Sequence, residues 1–207
     1  MNITIIGAGN MAAGFAGQLT RAGHAVNIVG RDADKAGALA ALHGGTADRA
    51  RAASSDIVIL ATGYADAAQA LRDAALPEGA IVVDITNPLT ADYMGLTIGH
   101  STSAAEQIAA AHPGLRIVKG FNTVFAQRLA EGADAGAGQT VPVFVAGDDA
   151  AAKAAVSGLA ASMGFQVIDA GALTNARYLE PLAGLNIYLG YGAGLGTSIA
   201  PTWIRQA

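Results

Sequence analysis

The stretch IIGAGNMAAGFAGQL sets Gly7, Gly9 and Ala12 in a G-x-G-x-x-A spacing, after an apolar run and at the head of an amphipathic one. Each position has a physical reason. Gly7 permits a tight turn, Gly9 lets the backbone approach a pyrophosphate, and Ala12 keeps the following helix close to a sheet. The free N–H groups at the start of that helix would face the anion. The spacing alone says little. Between a strand and a helix, with a second strand from residue 25, it reads as a dinucleotide site.

The next informative stretch is NIVGRDADK, residues 27–35. The slot at the end of the second strand, where an acid would read the ribose of NAD, holds Gly30. A glycine there leaves space and removes a charge that would repel a 2′-phosphate. Arg31 and Lys35 can then bind that phosphate through charge-assisted hydrogen bonds. Asp32 is placed to cap the next helix. These residues point to NADP(H) rather than NAD.

Ligands of open α/β sheets lie beyond the carboxyl ends of the strands. Three such ends carry polar residues: ATGYAD (61–66), DITNPLT (84–90) and KGFNTVF (119–125). Ala61, Thr62 and Tyr64 would run beside the pyrophosphate and ribose. Thr86 and Asn87 would face the nicotinamide side, with Pro88 stiffening the turn. Phe121 is expected to stack near the nicotinamide, with Asn122 and Thr123 as polar contacts. No catalytic dyad is expected. His24 and His112 read as turn residues, and His43 sits near a helix end. His100 falls in the long segment 89–102, a candidate lid. Asp84 either fixes its loop or meets substrate. No His, Asp and Glu cluster has metal-ligand spacing, so no metal is expected. Hydride exchange between two cofactor rings needs no such groups, only alignment of donor and acceptor carbons.

Holding these residues requires strands at 3–7, 25–30, 56–61, 80–85, 115–120, 141–147 and 165–171, several of them apolar on both faces. Helical segments fall between them, at about 10–22, 32–43, 65–75, 103–111, 148–163 and 174–190. Segment 44–55 should hold a short edge strand and a helical turn. The alternation implies a Rossmann-type α/β fold, doubly wound around a mostly parallel sheet. Residues 1–172 would form the NADP-binding domain, and 173–207 a helical cap and tail packed on it. The tail from Tyr188, with Tyr191 and Trp203, reads as a cap or an exchanged arm.

Composition narrows the function classes. The 207-residue chain is 52% hydrophobic, yet no apolar run approaches the roughly 18–20 residues of a membrane span. No signal peptide is evident, so the expected location is cytoplasmic. A net charge of −4 argues against nucleic acid. The 14% charged content, against about 25% in ordinary domains, implies either a surface rich in alanine and glycine or surface buried between subunits; the expected assembly is a homodimer. Without cysteine there is no thiol chemistry.

In order, GAGNMA, GRDADK, DITNP, VKGFNT, FVAGDD and DAGALTNARYLEPLAGL resemble the NADP oxidoreductases dependent on the deazaflavin coenzyme F-420. They are also similar to the cytosolic domain of STEAP-type ferric reductases. The likeness runs from the first residue to about Leu195. It implies NADP(H) across the sheet edge, with a deazaflavin or a flavin such as FMN or riboflavin stacked on the nicotinamide. It assigns cofactor contacts to Ala8, Gly9, Asn10 and Met11, to Gly30, Arg31 and Lys35, and to Thr62, Asn87 and Ala126. Two departures stand out. Thr62-Gly63-Tyr64 replaces a V-P-Y type sequence, and Gly120 replaces an alanine. The expected activity is hydride transfer between NADP and the deazaflavin or a flavin. Alternatives are an NADPH-dependent free-flavin or ferric reductase and a non-catalytic NADP(H)-binding redox sensor. A weaker one is an imine or carbonyl reductase using Tyr64, Lys119 or His100 as proton donor.

Overall fold

A computed structural model describes residues 1–203; residues 204–207, the end of the expected tail, lie outside the described part. Strands β1 (Asn2–Ile6), β2 (Ala25–Val29), β3 (Ile57–Leu60), β4 (Ile81–Asp84) and β5 (Arg116–Lys119) form the parallel part of a seven-stranded sheet. Its order is completed by β8 (Pro142–Gly147) and β9 (Gln166–Gly171), as β2-β1-β3-β4-β5-β8-β9. β8 runs antiparallel to β5, with β9 parallel to β8. The sheet is thus mostly parallel, with a reversed pair at one edge.

Helices cover both faces. α1 (Asn10–Arg21), α2 (Ala33–Leu42), α3 (Tyr64–Ala74) and α4 (Ala104–Ala111) follow the first four strands. α5 (Ala126–Glu131), α6 (Ala150–Ser162) and α7 (Ala176–Ile187) follow later. Most strand side chains are apolar because successive ones enter different cores. Ile3, Ile5, Ile57, Ile59, Val83 and Val118 join Phe15 and Leu19 in one. Ile6, Val58, Leu60, Val82 and Ile117 join Leu71 and Ile108 in the other. Each such buried side chain contributes roughly 1.5–3 kcal/mol.

In segment 44–55 the expected edge strand is reduced to an isolated parallel bridge from Thr46 to Asn27, and the expected helical turn is a 3-10 turn over Arg49–Ser54. Two elements escaped the sequence reading: helix α5, and a ribbon of β6 (Asp134–Gly136) and β7 (Gln139–Thr140). Side chains start several helices. Asp32, Ser103 and Asp149 accept N–H bonds at the heads of α2, α4 and α6. α1 begins on Gly9 without a side-chain cap, which leaves its first N–H groups to a ligand. The tail folds back on its own chain: Trp203 meets Phe144 edge-on at 5.2 Å, and Ser198 donates to Glu131.

Candidate active site

The sheet order reverses direction at β1, between β2 and β3, and a cleft of about 330 Å³ opens beyond these strands. Gly7 makes the turn at φ +131°, where a Cβ would fall 2.2 Å from the Ala61 carbonyl oxygen. Nothing but glycine fits. A Cβ on Gly9 would meet open space, the room the backbone leaves for a ligand. Ala12 is fully buried against the sheet.

Ala8, Gly30, Arg31, Lys35, Ala61 and Thr62 come together around the cleft. Asp32 accepts the Lys35 backbone N–H at 2.9 Å, so its carboxylate serves the helix rather than a ribose. Arg31 is paired with Asp66 at 3.1 Å. Sequence reasoning missed Arg49, whose Nη2 donates to the Gly30 carbonyl at 2.8 Å inside the same cleft, and also Gln69 on α3.

A second cavity of about 210 Å³ lies at the nicotinamide-side loops. Met11, Asn87, Asn122 and Ala126 line it, with Phe125 and Tyr191 as apolar walls. Asn87 and Asn122 are locked together. The Asn87 Nδ2 donates to the Asn122 carbonyl at 2.9 Å, and the Asn122 Nδ2 donates to Asn87 Oδ1 at 3.0 Å. Four buried polar atoms along this edge have no hydrogen-bond partner among the described residues: Thr62 Oγ1, Thr86 Oγ1, Asn122 Oδ1 and Thr123 Oγ1. Orphaned atoms of this kind cost stability unless something bonds them. Together with the uncapped helix and the open space at Gly9, they fit a dinucleotide. Tyr93 and Asn186 also reach this cavity, and neither was singled out in the sequence.

Several of the expected site residues are engaged elsewhere or lie outside the two cavities. The Phe121 ring is 1% exposed and lies edge-on to Phe15 at 5.0 Å and Phe165 at 5.8 Å. It sits at the wall of the second cavity at a backbone φ of +61°, with its ring packed mainly into the core. Tyr64 lines neither cavity, and its hydroxyl donates to Gln107 Oε1 at 2.5 Å. Burial, with the carboxylates of Glu180 and Asp84 behind it, holds that hydroxyl above the ordinary tyrosine range. Asn10, Thr86 and Pro88 also line neither cavity: Asn10 opens α1, the Thr86 backbone is held by Asp84 and Lys119, and the Pro88 carbonyl accepts the Thr97 N–H. His100 likewise reaches neither. Gly120 is not a steric necessity, since a Cβ there would stand 3.7 Å from Val83 Cγ1.

Lys119 is no proton donor to substrate. It is fully buried, and its Nζ donates to Asp84 Oδ2 at 2.9 Å, to Glu180 Oε1 at 2.8 Å and to the Thr86 carbonyl at 2.5 Å. Asp84 also holds the Thr86 N–H, so it fixes its loop. Glu180 accepts the N–H groups of Ala104 and Ala105 at the head of α4. One ammonium therefore ties the loop carrying Asn87 to α7. Among the described residues no group of three His, Asp or Glu is placed to hold a metal, and no helix is long and apolar enough to cross a membrane.

Comparison with known proteins agrees with this geometry. A family model described as NADP oxidoreductase, coenzyme F420-dependent, matches residues 2–88. The metalloreductase STEAP3 of Rattus norvegicus is 30% identical over 181 residues, 87% of this chain. The chain spans only 36% of that relative's length. A solved structure from Arthrobacter sp. FB24, provisionally described as an F420-dependent NADP reductase, is 33% identical with a TM-score of 0.85. That match covers 98% of this chain and 99% of the other. The reductive aminase of Aspergillus terreus, solved with NADPH and ethyl levulinate, shares the fold at a TM-score of 0.66 and 23% identity. It is matched over 93% of this chain and 62% of its own.

Proposed function

The chain belongs to the coenzyme F-420-dependent NADP oxidoreductases, and on that premise we propose that it moves hydride between NADP and a deazaflavin or flavin ring. The observation that carries this reading is the second cavity. It adjoins the paired Asn87 and Asn122, and Met11, Phe125, Ala126 and Tyr191 wall it with apolar and aromatic surface. Such walls suit a flat ring laid against the nicotinamide. Bound NADPH supplies the hydride. The chain holds the nucleotide at the first cleft, orients the nicotinamide end through its amides and threonines, and excludes water from the second cavity.

Mixing the protein with NADPH and either F-420 or riboflavin, and following the absorbance of both partners, tests this directly. Stoichiometric loss of NADPH and reduction of one ring is expected. Oxidation of NADPH with neither ring sinks the proposal.

The likeness to a metalloreductase favours a second reading, in which the reduced ring is a free flavin that passes its electrons to ferric iron. Ferric reduction that requires both NADPH and added flavin would support it. A homodimer also fits, because Tyr178, Leu185 and Tyr188 on α7 and the turn after it are more than half exposed. Light scattering at several concentrations tests that assembly.

A further inference from the structure

The position of Arg49 is built from beneath. Asn27 is buried in the middle of β2 and uses both ends of its carboxamide. Its Nδ2 donates to Thr4 Oγ1 at 3.0 Å and to the Asp48 carbonyl at 2.9 Å. Its Oδ1 accepts from Thr46 Oγ1 at 3.0 Å and from the Asp48 N–H at 2.9 Å. Three of these bonds fix Thr46 and Asp48 beside β2, and the fourth ties Asn27 to Thr4 on β1. Asp48 then caps the 3-10 turn, accepting the Ala50 N–H at 2.9 Å. Arg49, the first residue of that turn, is delivered to the edge of the cleft, where it bonds the Gly30 carbonyl.

The charges around the cleft are already divided. Arg31 is held by Asp66, and the Asp32 carboxylate is used as a helix cap. Lys35 and Arg49 line the same cleft, and among the described residues neither forms an ion pair with a carboxylate. A phosphate monoester carries nearly two negative charges at neutral pH. Lys35 and Arg49 match that charge before Arg31 leaves Asp66. The bond to Gly30 uses one donor of the Arg49 guanidinium, and the planar fork has four more. That bond also holds Gly30 itself, the residue whose missing side chain makes room.

We infer that Arg49 is a phosphate-binding residue of the cofactor cleft and helps select NADP over NAD. The inference rests on the reading of this cleft as the NADP site. Arg49 both places the Gly30 backbone and donates to the 2′-phosphate.

Calorimetric binding of 2′,5′-ADP and 5′-ADP to the wild-type chain, Arg49→Ala and Arg49→Lys separates these roles without needing turnover. For Arg49→Ala, the affinity for 2′,5′-ADP should fall about tenfold and that for 5′-ADP less than twofold, as expected for one charge-assisted hydrogen bond. Arg49→Lys should recover part of the loss. The salt dependence of 2′,5′-ADP binding should flatten in Arg49→Ala. Equal losses for both ligands, or no loss for either, would overturn the phosphate role. Failure of the cleft reading is distinguishable, because wild-type protein would then bind the two ligands alike.

Discussion

Arg31 and Asp66 form an ion pair 3.1 Å long across the mouth of the cofactor cleft, with 84% and 48% of their side chains exposed. An exposed pair of this kind contributes at most about 1 kcal/mol to stability, so an arriving phosphate can displace it. On the proposed reading of this cleft as the NADP site, the carboxylate competes with that phosphate for the same guanidinium. Asp66→Asn should therefore tighten NADPH binding roughly two- to fivefold, the span that about 0.5–1 kcal/mol allows. Binding of NADH should hardly change. Arg31→Ala should weaken NADPH far more than NADH. Fluorescence titrations of both cofactors at low salt check this, and weaker NADPH binding by Asp66→Asn would refute the competition.

The two glycines of the first turn should separate folding from binding. A Cβ at Gly7 collides with the Ala61 carbonyl oxygen and sits at φ +131°. Gly7→Ala should cost about 2 kcal/mol or more through strain and displacement of β3. Gly9→Ala meets nothing in the chain, so its melting temperature should stay near that of the wild type. Its affinity for NADPH should fall, because the methyl group occupies the ligand's space. Thermal unfolding with and without NADPH distinguishes the pair.

The buried ammonium of Lys119 makes a sharper demand. Lys119→Met strands the carboxylates of Asp84 and Glu180 in a dry site, which costs about 3–5 kcal/mol when one partner of a buried pair is removed. Neutralising the partners with Asp84→Asn and Glu180→Gln should restore much of the loss, although each carboxylate substitution alone destabilises. Urea unfolding of the singles and the triple variant measures this. A triple variant as unstable as Lys119→Met would show that packing, and not charge, carries the site.

The sequence announces the parts of this molecule that depend on near neighbours. The glycine turn, the Asp32 cap and the apolar strands are all set by spacing within a few residues, and all appear as expected. What stayed hidden depends on distant partners. Arg49 meets Gly30 only because Asn27 pins the intervening segment, 19 residues away from one end to the other. Lys119 becomes a structural ion through Asp84, 35 residues before it, and Glu180, 61 after it. Phe121 is a mixed case: it borders the second cavity as its loop position suggests, yet its ring packs edge-on against Phe15 in the core, a contact spacing alone does not show. Helix α5 has six residues and no side-chain cap, too little for periodicity to register.

Acid should loosen the attachment of α7 before it unfolds the sheet. Arg177 on α7 grips Glu106 on α4 with two bonds, Nε to Oε2 at 2.8 Å and Nη2 to Oε1 at 2.6 Å. The Arg177 bond, with help from the Ser103 hydroxyl and against a smaller cost of burial, holds the Glu106 carboxyl below the ordinary glutamate range. A carboxyl with a depressed folded-state value binds its proton more weakly when folded than when unfolded. Its contribution is complete above the unfolded value of about 4.3 and is lost as pH falls through the lower folded value. At neutral pH, Glu106→Gln should cost about 1 kcal/mol. That difference should shrink below pH of about 4 and vanish once both states are protonated. Urea titrations of the two proteins across this range provide the check. A gap that stays constant with pH would mean that packing of the Glu106 stem, and not its charge, joins α4 to α7.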